Sequence, residues 1–471
     1  MSWPDSVAKA QLTKGQLTML TCFKSYDVRG KLGEELNTDI AYRIGRGFAL
    51  AMTPGSVVIG YDVRPTSPEL AEALTRGLRD EGVDVIDIGL CGTEEVYFAT
   101  THLEAGGGLM VTASHNPIDY NGIKMVRAGS RPISALDGLG DINALATADD
   151  FGPAKAQGSY ERRDPRDAYA ERVVGFGDPS AYKPMKIVVN AGNGVAGPSF
   201  DVIAEKLAAQ GAPFTFIRHN HAPDGSFPNG IPNPLLEENR AQTADRVIAE
   251  GADLGVAWDG DFDRCFFFDE TGAFVDGEYV VGLLASAFLP KYPGAKIIHD
   301  PRVIWALLDL VAAGGGQAVV SQSGHSHIKA KMRSEDAVYG GEMSAHHYFR
   351  DFMYCDSGMI PWLLVVEHMC RTGKPLSALV ADMKARFPSS GEINFKLDDK
   401  QPAIDAFEAT YVAQATHVDR LDGVSLDMGQ WRVNLRQSNT EPVLRLNVEA
   451  KGDRAMLDAK VEEISTLIVN A

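Results

Sequence analysis

The sequence predicts an α/β protein of three related α/β domains with mixed sheets, followed by a smaller α+β domain. Three observations carry this. A strand, a turn rich in Gly, Pro or Asp, an apolar helix, a Gly break and a second strand follow one another in three separate places. At 471 residues the chain is too long for one hydrophobic core. Its last part changes character, with two strand-like runs around a polar turn and then one apolar helical stripe.

The first unit, "VVIGYDVRPTSPELAEALTRGLRDEGVDVIDIG", begins at Val57. Ser67 reads as a helix cap and Pro68 suits a first helical position, while Leu70, Leu74 and Leu78 fall on one face. The second unit, "KIVVNAGNGVAGPSFDVIAEKLAAQGAPFTFIR", starts at Lys186. The third, "KIIHDPRVIWALLDLVAAGGGQAVVSQSG", starts at Lys296. Strand–helix–strand units of this kind build parallel or mixed sheets covered by helices. At the C-terminal end "MGQWRVNLRQSNTEPVLRLNVEAK" forms the paired runs, and Met456, Leu457, Val461, Ile464 and Ile468 form the stripe. Residues 1–20 read as a loosely ordered leader. The polar stretch 150–166 and "RFPSSGE" at 386–392 are the linker candidates, so the expected divisions are 21–160, 161–272, 273–386 and 387–471.

Composition narrows the function. The formal net charge of −18 argues against nucleic acid or an anionic membrane as the main partner. The five cysteines are scattered with no C-x-x-C pair, which fits a reducing cytoplasm and no metal–thiolate site. The N-terminus lacks the apolar core of a signal peptide, and no apolar run approaches the roughly 20 residues that cross a bilayer.

Five polar stretches carry chemistry. In "GVAWDGDFDRCFFFDE" a strand-like run ends in Asp259, Asp261 and Asp263, with Arg264 next. Carboxylates this close repel one another unless a cation lies between them, and hard oxygen ligands suit Mg²⁺. An EF-hand register starting at Asp259 fails, because its sixth position, Arg264, must be Gly. In "RQSNTEPVLR", Arg436, Ser438, Asn439 and Thr440 make either a phosphate cradle or an ordinary hairpin turn. In "GGEMSAHHYFRD", Glu342 and Ser344 suit sugar hydroxyls and His346 suits a phosphate, yet such residues also face solvent without a role. "FKSYDVRGKLG" brings Tyr26 and Arg29 together. The fifth stretch, "TASHNP", sets Ser114 beside His115. It is no G-x-S-x-G elbow, and neighbours on a strand point to opposite faces, so a serine hydrolase is disfavoured. A phosphoryl-carrying serine fits the acidic loop better.

With "TASHNP", "DGDFDR", "GEMSAHH" and "RQSNTEPVLR" in this order, the chain from about Thr21 to near its C-terminus resembles the α-D-phosphohexomutases, in their bacterial phosphomannomutase/phosphoglucomutase branch. The resemblance implies a central cleft and a phosphorylated serine, by position Ser114. It implies Mg²⁺ held by Asp259, Asp261 and Asp263 with a phosphoserine oxygen, and Arg264 facing the catalytic site. Lys124 of "YNGIKM" matches a candidate general acid or base, and His115 and His325 match active-site histidines. Glu342 and Ser344 correspond to sugar recognition. Arg436, Ser438, Asn439 and Thr440, helped by Tyr26, Arg29 and His346, correspond to the site of the unreacting phosphate. Arg302 stands where relatives often carry lysine, which keeps the charge and changes its geometry.

The implied reaction interconverts mannose 6-phosphate and mannose 1-phosphate through a hexose 1,6-bisphosphate, with phosphoglucomutase activity as the alternative. "GEMS", where aminosugar mutases of this family carry "GEQS", argues against an aminosugar. A Mg²⁺-dependent sugar phosphatase and a non-catalytic sugar-phosphate binder are the rival classes. The product would feed nucleotide-sugar and polysaccharide synthesis. The oligomeric state is open, with a monomer as the working expectation.

Overall fold

A computed structural model describes residues 19–438 and 443–471. The described residues form four sheets of seven, five, five and five strands. In the first, the order is Val28–Lys31, Tyr120–Arg127, Gly107–Val111, Ser56–Tyr61, Asp84–Leu90 and Tyr160–Arg162, with Arg131–Pro132 paired to Tyr120–Arg127. Val57, Val58 and Ile59 are consecutive and all buried, because helices cover both faces of this sheet.

The three sequence units fold as written. Each makes a strand, a helix and a parallel neighbouring strand: Ser56–Tyr61 to Asp84–Leu90, Met185–Asn190 to Phe214–His219, and Lys296–His299 to Gln317–Val320. Leu70, Leu74 and Leu78 are buried on the helix Ser67–Asp80. One local reading differs. The N-cap of that helix is Thr66, and the Ser67 hydroxyl donates to Asp62 at 2.5 Å instead of capping. A buried carboxylate five residues back outcompetes the backbone amides for that hydroxyl.

A second regularity emerges only in three dimensions. In each of these sheets a central strand runs parallel to the unit's first strand, then reverses into an antiparallel partner. These pairs are Gly107–Val111 with Tyr120–Arg127, Leu254–Trp258 with Cys265–Phe268, and Tyr339–Gly341 with His347–Phe349. The connecting loops hold "TASHNP", "DGDFDR" and "GEMSAH" respectively. Three polar motifs without sequence similarity therefore occupy one topological position. Each loop also carries a non-glycine residue at positive φ: Ser114 (50°), Phe262 (45°) and Ala345 (69°). Such backbone strain persists only where surrounding contacts enforce it, and it concentrates at functional loops.

The helix Met359–Thr372 is buried on nearly every side and ties the second and third units into one hydrophobic cluster with Trp258, Phe200 and Phe288. The fourth sheet is wholly antiparallel, with the order Ile393–Lys396, Val443–Ala450, Trp431–Gln437, Val424–Asp427 and His417–Asp419. Its covering helix, Arg454–Asn470, buries Leu457, Ile464 and Ile468 along the expected stripe. This last unit docks through buried polar groups. Glu449 accepts from the backbone N–H of Ile304 and Trp305, both at 3.0 Å, and Arg432 donates to the carbonyls of Pro301 and Arg302 at 2.5 and 2.8 Å.

Among the described residues, no helix is long and apolar enough to cross a membrane. All five cysteines are buried and unpaired.

Candidate active site

The serine loop and the acidic loop close on each other. The Ser114 hydroxyl donates to Asp259 Oδ2 at 2.5 Å and lies 3.0 Å from His115 Nδ1. The fit depends on Gly260, where a Cβ would come within 2.6 Å of the Ser114 carbonyl oxygen. Next to it, Phe262 packs so tightly on Gly92 that a Cβ there would meet its ring at 2.1 Å. Two glycines, one in each unit, thus let the two loops meet.

Asp259, Asp261 and Asp263 are all buried, and one oxygen of each lies within 4.8 Å of the others. Two side-chain cations face these three carboxylates. Arg264 donates to Asp259 Oδ2 through Nε at 3.0 Å and Nη2 at 2.8 Å. Lys124 reaches Asp261 Oδ2 at 2.7 Å and also binds Asp263. Thr93, opening the helix Thr93–His102, donates its hydroxyl to Asp261 Oδ2 at 2.5 Å. Asp261 Oδ1 and Asp263 Oδ1 remain buried without a hydrogen-bond partner. Orphaned carboxylate oxygens are costly unless a cation takes them. The donor set is all oxygen, so the cluster fits a hard divalent ion.

The electrostatics follow from burial and these pairs. Burial pushes the Asp259 carboxyl up to about 6, although Arg264 pulls it down. For Asp261 burial again acts upward, but the Lys124 ammonium and its hydrogen bonds win and hold the group well below the usual carboxylate range. Burial opposes the charge on Lys124, yet Asp261 and Asp263 keep it protonated. His115 is driven well below its ordinary value by burial and by Arg264, whose Nη2 meets the same Nδ1 that faces Ser114. It sits in the site as a neutral ring.

The third loop lines the same region. Glu342 accepts from the Gly324 N–H at 2.8 Å and from the Tyr348 hydroxyl at 2.6 Å. Ser344 Oγ lies 3.4 Å from Arg302. Arg302 is buried and forked onto Asp300, with Glu392 at 3.2 Å and Glu342 at 3.7 Å. Arg436, also buried, lies 3.9 Å from the same Glu392, and Arg445 lies 3.3 Å from it. Glu392 thus lies among three guanidinium groups, and Arg302 and Arg436 also face Asp300, Glu342 and Asp422. Burial and the neighbouring Arg302 both weaken the proton hold of Arg436.

Some expected residues are placed elsewhere. His346, grouped from sequence with the unreacting phosphate, stands 3.3 Å from Asp356 and 4.0 Å from Asp263, beside the acidic loop. Arg29 donates to Asn116 of the serine loop at 2.6 Å and to Asp27 at 2.8 Å. Both follow from the sheet: the strand after "GEMSA" starts at His347, which leaves His346 at the loop's acidic end, and Val28–Lys31 pairs with the strand that follows "TASHNP". Tyr26 packs edge-on against His325 at 5.7 Å, where His325 opens the helix His325–Glu335. Burial and Lys329 push His325 well below its ordinary value. Ser438 ends the described part of the hairpin; Asn439 and Thr440 lie outside the described residues.

Thr93, Arg64, Asp300, Asp356 and Glu392 are contributors that sequence reasoning misses. A Gly-Thr start to a helix was the available signal for Thr93; the others look like turn or linker residues until the fold brings them in.

Family models for phosphoglucomutase/phosphomannomutase match the chain in four consecutive pieces. The alpha/beta/alpha domains I, II and III match residues 21–149, 167–272 and 276–387, and the C-terminal domain matches 392–466. The chain belongs to the phosphoglucomutase/phosphomannomutase family. A phosphomannomutase of Escherichia coli (strain K12) is 57% identical over 451 residues, 95% of this chain and 99% of that protein. A Xanthomonas campestris protein named for phosphohexose mutases is 56% identical over 449 residues, covering 95% and 99%. A solved Burkholderia thailandensis structure from the phosphoglucomutase/phosphomannomutase family superimposes with a TM-score of 0.84 at 33% identity, covering 95% of this chain and 96% of that one.

Proposed function

We propose that this family member is a phosphomannomutase that interconverts mannose 6-phosphate and mannose 1-phosphate through a phosphorylated Ser114. The observation that carries the reading is the meeting of Ser114 Oγ with Asp259 inside a cluster of three buried aspartates, Lys124 and Arg264. The work is divided among segments 21–160, 161–272, 273–386 and 387–471, which bring the serine, the acidic loop, the sugar loop and the phosphate loop.

In the forward half-reaction the free hydroxyl oxygen of a hexose monophosphate bonds to the phosphorus on Ser114. The Ser114 Oγ–P bond breaks, the hydroxyl proton leaves to a base, and the product is a hexose 1,6-bisphosphate. The bisphosphate reverses its orientation, Ser114 Oγ bonds to the other phosphorus as the sugar O–P bond breaks, and the proton given up by Ser114 goes to the freed sugar oxygen. Mg²⁺ held by Asp259, Asp261 and Asp263 would offset charge on the phosphoryl oxygens. Arg264 holds Asp259 against Ser114 and keeps His115 neutral. Lys124, kept protonated, offers positive charge and a proton to give. Glu342 and Ser344 face sugar hydroxyls, His325 and Tyr26 wall the site, and Arg302 and Arg436 hold the unreacting phosphate together with Ser438, Asn439 and Thr440. That second anion site has no use in a simple phosphatase.

The 57% identical Escherichia coli relative supports mannose phosphates as substrate. The Xanthomonas relative, named more broadly for phosphohexose mutases, supports activity on a second hexose phosphate, for which glucose phosphate is the candidate. Comparing turnover on mannose 1-phosphate and glucose 1-phosphate, with a trace of glucose 1,6-bisphosphate as activator, tests the assignment. A higher kcat/KM on glucose 1-phosphate would overturn the mannose preference.

A further inference from the structure

Arg64 comes from "YDVRPTS", in the turn between the strand Ser56–Tyr61 and the helix Ser67–Asp80, and it is 1% exposed. Its guanidinium reaches across to the serine loop. Nη1 donates to the carbonyls of Pro117 at 2.9 Å and Tyr120 at 3.0 Å; Nη2 donates to those of Ser114 at 3.0 Å and Asn116 at 2.5 Å. One planar fork therefore satisfies four carbonyls within seven residues. Buried carbonyls turned inward need donors, and a loop with this conformation has no strand partner to supply them.

The fork is itself held. Asp62 Oδ1 accepts from the Arg64 N–H at 3.0 Å and from Ser67 Oγ, and Asp62 Oδ2 lies 3.6 Å from Arg64 Nε. Asn121, just past the loop, donates to Thr66 at 2.9 Å and Ser67 at 3.0 Å, which locks the two turns together. From the second unit, the Phe227 ring lies 5.8 Å from the guanidinium. Gly225 packs on the Val63 carbonyl so closely that a Cβ would approach to 2.2 Å.

We propose that Arg64 is the positioning residue of the phosphoryl-transfer step: it holds Ser114 in its left-handed backbone conformation, so that Oγ keeps one address opposite Asp259 while substrate binds in two orientations. A non-glycine residue in that region is strained and would relax if the carbonyls were released. Ser114 φ is 50°, and its carbonyl is one of the four that Arg64 holds. Lysine at this place keeps the charge and loses the fork, because an ammonium has three donors around one point.

The proposal rests on the phosphoserine reading, and the test separates the two. Arg64→Lys and Arg64→Ala are purified alongside wild type, and folding is checked by circular dichroism. Hydrogen–deuterium exchange is followed at Asn116 and Tyr120, whose amides bond inside the loop. In Arg64→Lys these amides exchange at least about tenfold faster, kcat falls about a hundredfold, and KM stays within about twofold, the cost of a small misplacement of a reacting group. Millimolar guanidinium restores part of kcat to Arg64→Ala and none to Ser114→Ala. Wild-type loop exchange, or wild-type kcat, in folded Arg64→Lys overturns the proposal. Full activity of Ser114→Ala without added bisphosphate would instead overturn the phosphoserine reading, while the exchange comparison would still report whether Arg64 holds the loop.

Discussion

Ser114 Oγ and Asp259 Oδ2 lie 2.5 Å apart although 145 residues separate them in sequence. Neither residue is close to the other through any local element. Each sits in the loop between a central strand and its antiparallel partner, in two different sheets, and the contact exists only because both units place that loop on one cleft. The chemistry proposed here is a consequence of a repeated topology that carries different residues at one position.

Lys124 pairs with both Asp261 and Asp263. Breaking a buried pair costs about 3–5 kcal/mol because the remaining charges are left uncompensated. Lys124→Met should therefore lower the melting temperature in chelator, and Mg²⁺ should restore more of it than it adds to wild type. Differential scanning fluorimetry with and without Mg²⁺ measures this. Equal Mg²⁺ shifts in both proteins would contradict the charge balance.

Asp261 bears one of the two orphaned oxygens of the acidic cluster. Asp261→Asn should reduce Mg²⁺-supported kcat by more than the 10–100-fold that loss of a supporting partner of a metal ligand typically costs. Chelator should abolish wild-type turnover reversibly. Turnover in chelator at the Mg²⁺ rate would refute a metal at this cluster.

Glu278 is buried on the helix Gly277–Phe288, near Ser389 and Glu449 of the fourth unit. Burial, with Asp276 and Glu449 adding to it, pushes its carboxyl up to about 8 from an ordinary 4.5. In the folded protein the group stays protonated where the unfolded chain would have ionised it, so stability falls as pH rises from about 4.5 to about 8 and then levels. Glu278→Gln should match wild type near pH 5 and be more stable by on the order of a few kcal/mol above pH 8. Parallel melting curves for both proteins across that range would exclude this role.

Gly260 permits the approach of the two catalytic loops. Gly260→Ala should leave each sheet intact, since the overlap is with one backbone oxygen, and cost about 1–3 kcal/mol of stability as an overpacked contact. The larger effect should be on kcat, because the atom displaced is the Ser114 carbonyl. Steady-state kinetics with wild-type kcat would show that the loops tolerate separation.

The strand–helix–strand units are legible because each is local: consecutive apolar residues, a turn and a stripe such as Leu70, Leu74 and Leu78. The residue types at the site are legible for the same reason, since three aspartates in five positions at the end of an apolar strand point to a cation once they are buried together. What local sequence does not carry is partnership across sheets. Arg64 reads as a turn residue, and only the docking of the serine loop over it reveals four carbonyl contacts. His346 reads as a phosphate ligand, and pairing at Gly341–His347 moves it toward Asp263 and Asp356. Glu392 sits in a linker-like stretch, yet it stands among Arg302, Arg436 and Arg445.

The most direct test of the central claim is a rapid-quench experiment on protein phosphorylated with labelled glucose 1,6-bisphosphate, with the site mapped by mass spectrometry. Label is expected on Ser114 and passes into hexose bisphosphate within one turnover of added mannose 1-phosphate. Label on another residue, or label on Ser114 that stays there while turnover proceeds, would contradict it.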